Sequence, residues 1–263
     1  MIVYHNGSET KFFDLKTQTI IKPNSLKDIK QSHMVQAGDD IFFFGAGTEY
    51  IKYSISQKKT TKFNSCVYQR GTMYSACYYK EKNRIYILHR YTDHYSKSSQ
   101  IEIIDPINLS VQVKTVSISH ITNPQILASN GLVYIVDTSY IHTMSDNCQI
   151  TSTIGLYNFQ MKLCAIGDGH IYIFTTQSTI ERFDLESKSF TTVPDINQLF
   201  RYPNNSTISK IVYVPSSGVS SSKLYCFSAS STTVKVYDLI TYMFTDVVIE
   251  VSNHAVFIKR NKD

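Results

Sequence analysis

Residues 179–193 read "TIERFDLESKSFTTV", with an aspartate set between an aromatic and an aliphatic residue and followed by a short polar turn. The arrangement recurs as "TKFFDLKTQTIIK" at 10–22, "SQIEIIDPINLSVQVKTV" at 99–116 and "TTVKVYDLITYMFTDVV" at 232–248. A short side-chain oxygen at a strand exit accepts from the N–H groups of the turn that follows, so Asp14, Asp105, Asp184 and Asp238 read as turn formers. Ser54 and Ser145 stand at the corresponding places of two weaker copies.

A second marker precedes each turn, a short run of large apolar residues: "IVY" at 2, "IFFF" at 41, "IYIL" at 85, "VYIV" at 133, "IYIF" at 171 and "LYCF" at 224. Their separations of 39, 44, 48, 38 and 53 residues fit a four-stranded propeller blade. Ahead of most markers lies another strand joined by a tight turn, as in "QILASNGLVYIV" and "KLCAIGDGHIYIF", where Asn and Gly supply left-handed residues. Each repeat is therefore a meander of strands a, b, c and d. The first repeat begins at strand b with "MIVYHN", and the tail "HAVFIKRNKD" has no b strand after it. Joined, the two resemble "SACYYKEKNRIYIL" and complete one blade, which removes two exposed sheet edges. The sequence thus predicts an all-β chain, a six-bladed β-propeller of four-stranded antiparallel blades, forming a single domain over 1–263 and closed by its N- and C-terminal strands. The stretch 193–210, "VPDINQLFRYPNNSTISK", reads as an irregular excursion or a short helical turn.

The large apolar b strands and the aromatic-Asp-aliphatic exits from strand c resemble the kelch-like β-propellers across nearly the whole chain. The paired glycines after strand b and the later tryptophan of kelch repeats are missing, and "FGAG" at 44–47 is the nearest approach. The resemblance implies that ligands are held by the b–c and d–a loops, which emerge on one face. Loops on a rigid scaffold are also where binding groups collect in general.

Composition narrows the setting. The chain of 263 residues is 42% hydrophobic and 18% charged, enough for a sizeable core. Tyr and Phe are abundant and Trp is absent, which favours strands. No apolar run reaches membrane-span length and no basic head precedes a long apolar block, so the expected compartment is the cytoplasm, or the nucleus. Cys66, Cys77, Cys148, Cys164 and Cys226 are odd in number and lack a CxxC pair, which reads as reduced thiols. The sequons at Asn6, Asn108, Asn204 and Asn205 are then chance occurrences in an Asn-rich chain.

Among the b–c loops, "HRYTDHYSKSS" at 89–99 is the longest and carries His89, Arg90, Tyr91, Asp93, His94 and Tyr95. Arg and Tyr combine apolar area with directed hydrogen bonds, so these residues, with Glu49 and Tyr50 beside the preceding b–c loop, are the candidate contacts for a protein or peptide partner. A metal on His89, Asp93 and His94 lacks a further ligand, so no metal or cofactor is expected. Sialidase-type S-x-D-x-G-x-x-W boxes, GxSxG elbows, P-loops and dinucleotide fingerprints are absent. The acids Glu9, Glu49, Asp93 and Asp137 come from different repeats, and a divergent hydrolase or lyase would need them to converge. Residues 1–100 hold 15 Lys/Arg against 8 Asp/Glu. Lys58, Lys59, Lys62, Lys80, Lys82, Arg84, Lys259, Arg260 and Lys262 would project from the opposite face, as a basic patch for an acidic partner, an anionic surface or RNA. The leading expectation is a non-enzymatic interaction scaffold. The divergent enzyme and the basic-face binder are its alternatives.

Overall fold

The computed structural model describes residues 2–5, 10–13, 20–21, 33–45, 48–67, 72–90, 99–118, 121–177, 179–193, 208–216, 221–228, 233–248 and 254–257. Most of 193–210 therefore lies outside the described residues. In chain order the strands are β1 (Ile2–His5), β2 (Thr10–Phe13) and β3 (Ile20–Ile21), then β4 (His33–Ala37), β5 (Asp40–Phe44), β6 (Glu49–Ser54) and β7 (Lys59–Asn64). Next come β8 (Thr72–Tyr79), β9 (Arg84–Arg90), β10 (Ser99–Ile104) and β11 (Val111–Val116), followed by β12 (Gln125–Ser129), β13 (Leu132–Val136), β14 (Tyr140–Met144) and β15 (Ile150–Gly155). The last are β16 (Met161–Gly167), β17 (His170–Thr175), β18 (Ile180–Asp184), β19 (Phe190–Thr192), β20 (Ile208–Val214), β21 (Lys223–Ser228), β22 (Thr233–Asp238), β23 (Phe244–Val248) and β24 (His254–Phe257).

These strands form four-stranded sheets, and the architecture is an all-β propeller of four-stranded antiparallel blades. Five sheets are contiguous meanders, β4–β7, β8–β11, β12–β15, β16–β19 and β20–β23. A further sheet is composite, in the order β24-β1-β2-β3, with Ile2 opposite Phe257 and His5 opposite His254. The chain divides into two compact units, residues Gln31–Lys162 and residues Met1–Lys30 with Leu163–Asp263.

The apolar markers are the second strands, and their composition follows from where they sit. β5, β13 and β17 are buried along nearly their whole length, on both faces, so they carry continuous large apolar runs rather than alternation. The fourth strands are their opposite: β7 is mostly exposed and β15 is half exposed, with no buried residue in either. Within the first unit Phe42, Phe44 and Tyr50 pack with Ile85, Ile87 and Ile104 between neighbouring sheets, and the Phe44 and Tyr50 rings meet edge to face at 4.9 Å. Leu88, Ile101 and Ile103 pack in the same way with Ile126, Val133 and Ile135. In the second unit Tyr172, Phe174 and Ile180 join Ile211, Leu224 and Tyr237. Burying one such side chain contributes roughly 1.5–3 kcal/mol, so the sheets are held face to face chiefly by apolar area.

The strand exits repeat one turn. Asp105 Oδ1 accepts from Ile107 N at 2.9 Å, Asp184 Oδ1 from Glu186 N at 3.0 Å and Ser187 N at 2.6 Å, and Asp238 Oδ1 from Ile240 N and Thr241 N at 3.0 Å. Ser54 Oγ accepts from Gln57 N at 3.3 Å and Ser145 Oγ from Gln149 N at 3.3 Å, the weaker form of the same cap. Every one of these turns places one residue in the left-handed region, Lys58, Leu109, Cys148, Lys188 or Tyr242. The Asn130-Gly131 hairpin uses the same region at both residues, φ 52° and 75°. None of the five cysteines forms a disulfide, and burial pushes the Cys164 and Cys226 thiols up to about 12, which makes them packing residues rather than nucleophiles.

Candidate functional site

Strand β10 carries a glutamate, Glu102, between Ile101 and Ile103, where a buried strand calls for an apolar residue. It is fully buried, and its two oxygens are covered by donors. Oε2 accepts from Tyr50 Oη at 2.5 Å and from His89 Nε2 at 2.8 Å. Oε1 accepts from Ser65 Oγ at 2.6 Å, Cys66 N at 2.8 Å and Val67 N at 3.2 Å. Burial alone would raise the carboxyl pKa, but the hydrogen bonds from His89, Ser65 and Tyr50 outweigh it and hold the group down to about 2. The same carboxylate, with burial as the larger cause, drives the Tyr50 phenol up, so Tyr50 stays a donor. The Nε2 side of the His89 ring is used on Glu102, and its buried Nδ1 has no hydrogen-bond partner among the described residues.

The geometry has a structural meaning. Ser65, Cys66 and Val67 open the connection from β7 to β8, a d–a connection, whereas His89 and Glu102 flank the b–c loop that leaves β9. One carboxylate thus ties the connection of one sheet to the loop base of the next. The neighbouring sheet does the same with main-chain bonds: Thr138 N donates to Thr122 O at 3.2 Å and Met161 N to Thr138 O at 3.1 Å. There Asp137 Oδ1 caps the short b–c turn through Ser139 N and Tyr140 N, both at 2.7 Å. His142 lies beneath, its Nδ1 2.9 Å from Thr153 Oγ1 and its Nε2 3.7 Å from Asp137 Oδ2.

The expected contact residues divide accordingly. The structure moves His89 and Tyr50 from the expected rim to the interior, at 5% and 1% exposure. The reason is register: β9 runs on to Arg90 with His89 opposite Gln100, which points the imidazole along the same sheet face as Glu102. Glu49 is exposed and pairs with Lys62 at 3.0 Å. Arg90 ends β9, and Tyr91, Asp93, His94 and Tyr95 lie outside the described residues, so the expected loop surface is seen only at its base.

Of the basic residues, Lys259, Arg260 and Lys262 also lie outside the described residues. Lys62, expected in a turn, is instead within β7 opposite Ile51. Lys82 pairs with Asp146 at 2.9 Å and Arg84 with Asp105 at 3.1 Å. Lys58 and Lys80 are exposed on turns, and Lys59 lines a polar hollow with Asp39, Asp40 and Lys52. The acids of that hollow are occupied, Asp39 by Ser56 and Asp40 by Lys52 at 2.8 Å. Among the described residues no cluster of His, Cys, Asp and Glu is arranged to hold a metal, and no helix is long and apolar enough to cross a membrane.

Sequence reasoning missed Glu102 itself. The signal was present as a charged residue three places before the turn aspartate, in a strand otherwise made of buried residues. The same place holds His142, Glu181 and Lys235 in other repeats.

No protein-family model matches the chain, and neither does any curated protein sequence. Solved structures do match in fold. A chain in the crystal structure of a nidogen/laminin complex aligns over 97% of both chains with a TM-score of 0.65 and 13% identity. A protein of unknown function from Bacteroides caccae aligns over 97% of both chains with a TM-score of 0.67 and 11% identity. At these identities the likeness establishes a shared fold.

Proposed function

We propose that the chain is a non-enzymatic interaction scaffold that binds a protein or peptide partner on the face formed by its b–c and d–a loops. The observation that carries this reading is the Glu102 knot. A buried carboxylate with five donors fixes the base of the longest b–c loop against the adjoining d–a connection, so a loop rich in Arg, Tyr and His springs from a preorganised footing. A likeness to a chain that stands in a protein complex supports a protein partner. Of the four acids that a channel-mouth hydrolase or lyase would draw on, Asp137 caps its own turn and Glu49 pairs with Lys62, while Glu9 and Asp93 lie outside the described residues. The pairing of β24 with β1, which completes a further four-stranded sheet, supports reading residues 1–263 as one six-bladed domain, which we place among the kelch-like propellers of the cytoplasm.

The test is affinity capture from native lysate with the wild type, with Arg90, Tyr91 and His94 replaced by Ala, and with Lys58, Lys59 and Lys80 replaced by Ala. A hot spot loses on the order of 2 kcal/mol or more, about 30-fold in affinity, on truncation of its anchors. The loop variant should lose its partner at an unchanged melting temperature. Retained binding there, with loss in the lysine variant, would transfer the function to the basic face.

A further inference from the structure

Sheet β12–β15 carries two exposed tyrosines at its b–c and d–a end. Tyr140 opens β14 directly opposite Gly155, the last residue of β15. Side chains at directly opposite places of an antiparallel pair lie on one sheet face. Gly155 has no side chain, and the ring of Tyr157 fills the vacant place, since a Cβ on Gly155 would collide with Tyr157 Cζ. The ring is therefore seated on the sheet next to Tyr140, although Tyr157 is 89% and Tyr140 44% exposed. Below them on the same face the His142 ring lies 5.8 Å from that of Tyr140, and its Nδ1 is bonded to Thr153 Oγ1 at 2.9 Å.

The arrangement belongs to this sheet. In three others the same place holds Glu49 opposite Asn64, Gln100 opposite Thr115 and Thr233 opposite Val248. Its surroundings are also uncharged: from Asn147 to Met161 the chain has no charged side chain. The acid of the adjoining b–c turn, Asp137, is 3% exposed, and its Oδ1 is engaged by Ser139 N and Tyr140 N. What remains open is two aromatic faces and two phenol hydroxyls, neither with a hydrogen-bond partner among the described residues.

These groups select a ligand by its chemistry. A charged segment finds no counter-charge here, and a helix keeps its carbonyls in its own ladder, away from the phenols. A sugar brings several hydroxyl donors that need an open carboxylate, which Asp137 does not supply. A polyproline II segment has apolar rings, no N–H at its prolines and carbonyls free of internal hydrogen bonds, and it docks on aromatic-lined surfaces. We propose that Tyr140 and Tyr157 form a recognition platform for an uncharged, proline-rich segment of a partner protein, bound as a polyproline II helix. The assignment rests on reading the loop face as the one that binds a protein or peptide. Pyrrolidine rings lie against the tyrosine faces, and the phenols donate to carbonyls of the segment.

Titration of the full chain with a capped proline decamer, followed by calorimetry and by the tyrosine ring resonances, tests the proposal, with a capped Gly-Ser decamer and a neutral oligosaccharide as controls. The proline decamer should bind and shift the Tyr140 and Tyr157 rings, and neither control should. Tyr140→Ala and Tyr157→Ala should each weaken binding by about tenfold or more at an unchanged melting temperature. Tyr157→Phe, which keeps the ring on Gly155 and loses the donor, should weaken it by a smaller factor. A wild type that does not bind the proline decamer overturns the proposal. So does binding that survives both Ala substitutions, or oligosaccharide binding that is lost in the same variants. Failure of the decamer, with lysate capture still sensitive to Arg90, Tyr91 and His94, overturns the platform alone and leaves the scaffold reading standing.

Discussion

Replacing Glu102 with Gln probes the knot with the smallest change in shape. The folded carboxyl is held at about 2, well below the 4.5 of an ordinary glutamate, which corresponds to on the order of 3 kcal/mol of linkage. The depressed value fixes the sign. The stabilisation is fully present above about pH 4.5 and is lost progressively as the pH falls toward 2. In the variant the amide oxygen can keep Ser65, Cys66 N and Val67 N, while the NH2 group meets Tyr50 and His89, which must turn the phenol or change tautomer to accept from it. Charge-assisted bonds become neutral ones, for an expected loss of about 2–3 kcal/mol at neutral pH. Urea unfolding of wild type and variant from pH 7 to pH 2.5 is the assay. The two stability curves should lie apart at neutral pH and converge as the pH falls. Parallel curves across that range would refute the argument, because they would mean that Glu102 titrates alike in the folded and unfolded chains.

Deleting residues 252–263 removes β24 and leaves the outer edge of β1 unpaired, so the thermal midpoint should fall by several degrees or more, each kcal/mol being worth about 2–4 °C in a chain of this size. Asp105→Ala loses the cap on Ile107 N and the Arg84 pair and should cost about 0.5–2 kcal/mol by denaturant titration, with partner binding unchanged in protein that stays folded. Gly155→Val should displace the Tyr157 ring, read as a change in tyrosine fluorescence or in the Tyr157 ring resonances.

The blade repeat was legible because its signals are local. A turn aspartate bonds to N–H groups two and three residues on, and a b strand buried on both faces must be apolar along its length, so both features recur wherever the same local problem recurs. The composite sheet was legible because an incomplete repeat stood at each end of the chain. The Glu102 knot was not, since its donors come from residues 50, 65, 66, 67 and 89, and only packing between two sheets brings them to one carboxylate. His89 was misplaced for a related reason. The sequence marks where a loop is long and polar, but the register of β9 against β10 decides how far the strand runs into it.

The pairing of Ile2 with Phe257 also sets a schedule for synthesis. β1 leaves the ribosome before the contiguous meanders, and its partner β24 only after all of them. Until then an apolar strand waits with one edge open, while every contiguous meander can close as soon as its own fourth strand emerges. A chain interrupted before β24 would carry five complete meanders and one adhesive edge, so translation that stalls between β23 and β24 is more hazardous to this fold than translation that stalls between meanders.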